Sequence, residues 1–453
     1  MAFSDLFFLF RFLPIFLIIY YVVPAGYRLL VLLAGSLFFY GYGDPRHILL
    51  LIASVGVNIA LGEWMCRKRE TMEEQGDRRL LFLIIALDAG LLAGFKVLNA
   101  FVPGSPLPLG LSFYTFKMIS FQIDLYRGEI KKKPRILETA AYFIIFPQMV
   151  SGPIMRYRSG LTAGLKREGR GMTLEQGLGW LAVGLATKVL LADRLAILWK
   201  DIQGIGFESI STPLAWLGAV GYSMYLYFDF WGYSLMAAGI GVMLGLPWIQ
   251  NFDAPYASRS VAEFWRRWHM TLGSFFRDYL YIPLGGSRGG EVKTMRNLLV
   301  VWLVTGIWHG GSRNFLLWGL MLFLLIMIER LWLGKIFARI PALGHLWVLA
   351  VIPITWVFFA ITDLEQLILY LGRMFPIFGG EGIAVNTRDI WKYLEMYGTY
   401  LAAGVIWCIP AVFRFYEKHR KHPAMVILTV AAFWFSVYCV VSMGNNPFVY
   451  LMF

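Results

Sequence analysis

The chain has 453 residues, 58% of them hydrophobic and only 15% charged. Too little charge remains to cover a set of water-soluble domains, so the composition selects an all-α polytopic membrane protein. The net charge of +13 is spread in short basic clusters between apolar runs, a pattern that reports topology and contact with anionic headgroups and not a nucleic-acid groove.

Apolar segments of near-spanning length occupy 4–23, 28–43, 47–64 and 80–98, at about 20 residues per bilayer helix. The first carries Arg11 and Pro14, and no small-residue cleavage site follows it, so it is a retained span and not a signal peptide. The basic loop 66–79 belongs in the cytoplasm by the positive-inside rule, which places the N-terminus outside. The uncharged stretch 99–108 is then an outer loop, and RGEIKKKPR (127–135) returns the chain to the cytoplasm. Cys66, Cys408 and Cys439 are scattered without metal or redox spacing, and no metal site is expected.

In AAYFIIFPQMVSGPIMRYRSG (140–160), Pro147, Gly152 and Pro153 interrupt a run too short to span, with basic residues on both flanks. It reads as a re-entrant element, because broken backbone at membrane depth needs protein or a watery cavity to satisfy it. Further spans are expected at 174–198 and 213–247. Asp88 and Asp229 lie inside apolar runs and are expected to be structural carboxylates bonded to a nearby arginine or tyrosine.

From 258 to 277 the periodicity changes. Val261, Phe264, Trp265, Trp268, Leu272, Phe275 and Phe276 recur at helical spacing opposite Arg259, Glu263, Arg266, Arg267 and Arg277. This predicts an amphipathic helix lying at the cytoplasmic interface. A headgroup anchor explains its arginines but not His269. LGGSRGG (284–290) follows, a glycine loop in which Arg288 and exposed amides are suited to phosphate, although its spacing is not that of a P-loop and a bare hinge fits as well. His309 then ends the apolar run LLVVWLVTGIWHGGS (298–312), with Gly306, Gly310 and Gly311 allowing another element or a slender acyl chain to approach the backbone.

Together these stretches resemble the membrane-bound O-acyltransferases, within them the branch of the alginate O-acetyltransferase membrane subunit. The resemblance runs through PLGLSFYTFKMISFQIDLYRG (108–128), FPQMVSGPIMRY (146–157), YFDFWGYS (227–234), NFDAPYASRSVAEFWRRWHMTL (251–272), DYLYIPLGGSRGG (278–290) and GIWHGGSRNFLLWG (306–319). It implies about nine to twelve transmembrane helices, with re-entrant and interfacial ones, around a funnel-shaped core. It also implies that His309 matches the family's catalytic histidine and His269 its second motif histidine.

The residue chemistry fits. Transfer from a thioester to a hydroxyl needs a base to take the alcohol proton, and imidazole titrates near neutrality, which contributes roughly 10²- to 10⁴-fold. His309 takes that role, and His269 orients it or holds the thioester carbonyl. Trp265, Trp268 and Trp308 wall off water, with Arg266, Arg267 and Arg288 beside the donor; for Trp265 an interfacial belt position is the plainer alternative.

Spans at 316–333 and 346–361 follow, then a loop at 376–390. A span at 397–413 ends at the basic cluster RFYEKHRKH (414–422), and the last span, 425–443, delivers the C-terminus outside. His47, His345, His419 and His422 are given no catalytic role. The whole is expected to be one membrane domain, 1–453, with N-terminal helices 1–126, a catalytic core at about 137–334, C-terminal helices 346–444 and an aromatic tail 445–453. Phe448, Tyr450 and Phe453 in that tail resemble an aromatic ending of related acyltransferases or their small partners, with Leu451 where that pattern has phenylalanine. Tyr450 is the candidate acyl relay, weighed evenly against an aromatic anchor.

By the resemblance, the expected setting is a bacterial cytoplasmic membrane, the expected donor acetyl-CoA or an acyl carrier protein, and the expected partner an extracytoplasmic serine-hydrolase-like (SGNH) acyltransferase. The acceptor polymer stays open among alginate, cellulose, peptidoglycan, teichoic acid and other glycans. A flippase or transporter for a lipid-linked sugar would show internal repeats with paired broken helices, and the sequence has none. A non-catalytic scaffold for polymer export would not require the glycine-flanked histidine.

Overall fold

The computed structural model describes residues 1–71, 77–102, 105–157, 170–310, 312–376 and 386–443, and every regular element among them is helical. Among the described residues six helices are long and apolar enough to cross a bilayer: Ala25–Gly43, Pro45–Lys68, Arg78–Asn99, Arg313–Arg339, Pro341–Ala360 and Pro423–Ser442. A further candidate span is the pair Asp389–Cys408 and Pro410–His419, bent by 72° where Pro410 opens the second helix, because proline cannot continue the hydrogen-bond ladder. These helices turn large apolar side chains outward, among them Phe82 at 75% exposure and Ile427 at 68%. Such faces are stable in lipid and not in water, and the protein is a multi-pass membrane protein.

Other expected spans are helical as well but shorter or more polar. Leu13–Val22 extends a π-helical turn at Phe8–Phe12. The 174–198 segment runs through Arg170–Ala186, a π-helical turn at Thr187–Ala192 and Asp193–Ile205, while Thr212–Met243 carries several tyrosines and Asp229.

Contacts gather the described chain into two compact units. One comprises Met1–Ala182 with Tyr233–Gln250 and residues 440–443; the other comprises Val183–Gly232 with Asn251–Cys439. In the first, the interrupted segment forms the helix Ile136–Ile144 and a tight turn at Phe146–Gln148, and it is buried almost throughout. Its backbone is satisfied by protein: Lys117 Nζ donates to the Tyr142 carbonyl at 2.6 Å, Tyr142 Oη donates to the Met155 carbonyl at 2.9 Å, and Ser36 Oγ accepts from Phe146 N at 3.1 Å. This is the environment that broken backbone at membrane depth requires. Asp88 accepts from Asn58 Nδ2 at 2.9 Å, a structural carboxylate as expected but held by an amide.

In the second unit Asp229 is buried and lies 3.4 Å from Lys188, which also pairs with Asp193. A lysine on the π-helical turn is thus among the partners of this structural carboxylate. The helices Glu291–His309 and Arg313–Ile328 cross closely at Gly306 and Gly319. A Cβ on Gly306 would stand 2.5 Å from the Phe315 carbonyl oxygen, and one on Gly319 would stand 2.5 Å from that of Trp302.

Candidate active site

The stretch 258–277 is not one amphipathic helix. It forms Val261–Arg267 and Met270–Phe276, followed by a π-helical turn at Arg277–Tyr281. The break falls at Trp268 and His269, where His269 adopts left-handed backbone angles, φ 44° and ψ 54°. Histidine is among the few non-glycine residues enriched in that region. Asn251 holds the turn: its carbonyl accepts from Met270 N at 2.9 Å, and its Oδ1 accepts from Thr271 N at 3.3 Å and Thr271 Oγ1 at 2.9 Å. Apolar periodicity reports which residues face inward but not an acceptor arriving from 18 residues upstream, which is why the sequence reads as a continuous helix.

The same Oδ1 lies 3.0 Å from His269 Nδ1. With an amide oxygen as acceptor, Nδ1–H donates, which fixes the tautomer and leaves Nε2 as the basic nitrogen. The ring is 4% exposed and stands edge-on to Phe230 at 4.7 Å between centroids. Burial lowers its pKa from 6.5 to about 3, so this imidazole is neutral at physiological pH.

His309 is the last residue of Glu291–His309 and is 6% exposed. Its ring meets Trp308 at 4.4 Å, Phe359 at 5.0 Å and Trp318 at 5.1 Å. The nearby glycines admit protein: Gly306 receives the Arg313–Ile328 helix, and Gly310 lies against the Phe315 ring. Gly311 falls outside the described residues, as do Tyr450 and the rest of the tail.

Between the histidines runs a continuous set of rings. Trp268, next to His269, meets Trp356 at 5.0 Å; Trp356 meets Phe359 at 5.5 Å; and Phe359 meets His309. Trp265 joins the same cluster through Trp302 at 5.2 Å and through Trp318 and Trp356, each at 5.5 Å. It therefore belongs to the wall between the histidines and not to a lipid-facing belt. Trp308 is half-buried beside His309.

The arginines are more dispersed. Arg266 is exposed, whereas Arg267 pairs with Glu263 at 2.6 Å. Arg288 is exposed in the turn 282–289. That loop is braced: Asn297 Nδ2 donates to the Gly286 carbonyl at 2.9 Å and Arg296 Nη2 donates to the Leu284 carbonyl at 3.2 Å. Two residues without an assigned role matter here, Asn251 and Glu329. The signal for Glu329 is a lone acid inside the apolar run LLIMIERLWL (324–333). His345 bonds the Ser258 carbonyl at 3.0 Å, His47 bonds Asp44 at 2.8 Å and the half-buried His419 bonds the Phe415 carbonyl at 2.9 Å, while His422 is exposed.

Residues 47–372 match the model of the membrane-bound O-acyltransferase family. The chain is 35% identical over 436 residues to a protein of Azotobacter vinelandii named a probable alginate O-acetylase, covering 92% of this chain and 86% of that one. It is 29% identical over 447 residues to the peptidoglycan O-acetyltransferase of Helicobacter pylori, covering 87% and 83%. With the teichoic acid D-alanyltransferase of Bacillus subtilis it shares 28% identity over 228 residues, 47% of this chain and 56% of that one.

Proposed function

The chain belongs to the membrane-bound O-acyltransferase family and is an O-acyltransferase, and from that premise we propose that it moves an acetyl group from a cytoplasmic thioester toward hydroxyls of an extracytoplasmic cell-surface polysaccharide or cell-wall polymer. The observation that carries this reading is the pair of buried histidines at the two ends of one aromatic wall. His309 is the general base. It takes the hydroxyl proton as the oxygen attacks the thioester carbonyl, and it returns that proton to the departing thiolate, so that ester and thiol are the products. His269, neutral and fixed in one tautomer, orients the reacting groups, and the tryptophans exclude water that would hydrolyse the thioester.

The names of the relatives support acetyl over longer acyl groups and a surface polymer as the destination. Acetyl-CoA and a charged carrier protein are the two donors to compare. The Arg266 and Arg288 side chains, exposed near the site in sequence, suit the phosphates of either. Tyr450 is the proposed relay: its phenol oxygen takes the acetyl group, and a serine-hydrolase-like partner outside a bacterial cytoplasmic membrane receives it. The test is to incubate purified protein separately with each radiolabelled donor. Label on Tyr450, lost in Tyr450→Phe together with transfer, is the expected result; unimpaired transfer by Tyr450→Phe rejects the relay.

A further inference from the structure

We propose that Glu329 is a positioning residue for the transfer, acting through the short helix Val261–Arg267 on the Trp268–His269 turn; this rests on the function proposed above. Glu329 lies at the start of the π-helical turn Glu329–Leu333, inside a membrane-spanning helix, and is 5% exposed. A carboxylate there is costly without donors. Its donors come from two other elements: Oε1 accepts from Val261 N at 2.5 Å and from Trp347 Nε1 at 2.9 Å, and Oε2 accepts from Ala262 N at 3.2 Å.

The first N–H groups of a helix have no partner within it. Here all are accounted for. Val261 N and Ala262 N go to Glu329, Glu263 N goes to Ser260 Oγ at 3.0 Å, and Phe264 N goes to the Ser260 carbonyl at 2.9 Å. Two further contacts close on the same end of the helix: His345 bonds the Ser258 carbonyl, and Gly344 lies so close to the Arg259 carbonyl that it has no room for a side chain. One carboxylate thus ties together the helices that carry Glu329 and Trp347 and the element that carries Trp265 and leads into His269. It sets the rotation that turns Trp265 into the ring cluster and delivers the chain to Asn251 at the turn. Nothing places Glu329 near the reacting atoms, so its effect is on geometry.

The experiment compares Glu329→Gln, His269→Asn and the double variant in proteoliposomes, measuring kcat and KM for the donor. Glutamine keeps the volume but presents an amide N–H to one of the donors. The expected loss for Glu329→Gln is about 10- to 100-fold in kcat with KM little changed, typical of groups that orient a reactive side chain, and Glu329→Asp recovers part of it. In the His269→Asn background, Glu329→Gln should cost only about twofold more, because both act on one geometry. Full multiplicative losses, or a rise in KM alone, overturn the proposal. If His269→Asn leaves transfer intact, the role proposed for His269 fails and any loss at Glu329 cannot run through it. Hydrogen exchange gives a readout independent of turnover: Glu329→Gln should open the amides of 261–262 and of 270–271 together, and opening confined to 261–262 would also overturn the proposal.

Discussion

Replacing His269 tests whether the kink and the imidazole are one device. His269→Ala removes the hydrogen bond to Asn251 Oδ1, 3.0 Å long, and the edge contact with Phe230. A buried hydrogen bond contributes about 1 kcal/mol. An aromatic pair contributes roughly another 0.5–1.5 kcal/mol. The expected destabilisation of His269→Ala is therefore about 2 kcal/mol. His269→Asn keeps a polar side chain tolerant of left-handed backbone and should cost about half of that. Because Asn251 and His269 share a bond, the double variant Asn251→Ala with His269→Ala should lose about 1 kcal/mol less than the two singles added. The assay is thermal or denaturant unfolding of the purified protein in one detergent, with transfer rate measured alongside. An Asn variant as unstable as the Ala variant, together with strict additivity against Asn251→Ala, would refute the reasoning.

Other outcomes follow from the same geometry. His269 titrates at about 3 when folded against 6.5 when free, so below pH 6.5 the unfolded chain binds a proton that the folded chain does not. Stability should fall as pH drops from 6.5 toward about 3 and be flat above that window as far as this group is concerned; His269→Asn should show a shallower slope in pH-dependent unfolding. Lys188→Met leaves the buried Asp229 and the half-buried Asp193 beside an apolar chain and should cost about 3–5 kcal/mol by thermal unfolding, much of it recovered by adding Asp229→Asn. Gly306→Val forces the two helices apart at the Phe315 carbonyl; an expected loss of about 1–3 kcal/mol, with transfer reduced because His309 lies one turn on, is checked by unfolding and turnover of the same sample.

Much of the membrane architecture was legible because it depends on summed hydropathy, which neighbours do not alter. The spans at 47–64, 80–98, 316–333 and 346–361 reappear within the apolar helices, and the proline–glycine run at 146–153 marks a buried break. What escaped depends on tertiary partners. His269 ends a helix because Asn251 supplies acceptors from another part of the chain, and no local residue announces this. Trp265 sits on the face that periodicity assigns inward, but that its neighbours are Trp302, Trp318 and Trp356 is a matter of helix packing. Lys188 sits in an apolar run with nothing local to mark its partner, and the π-helical turn is what places it beside Asp229.

Turnover of His309→Ala and His309→Gln, reconstituted beside the unaltered protein with a labelled acetyl thioester and the purified serine-hydrolase-like partner as acceptor, bears most directly on the proposed role of that imidazole. With equal protein in the vesicles and equal melting temperatures, transfer by both variants should fall roughly 10²- to 10⁴-fold, the contribution of a positioned base. Transfer at the unaltered rate in either variant would contradict it.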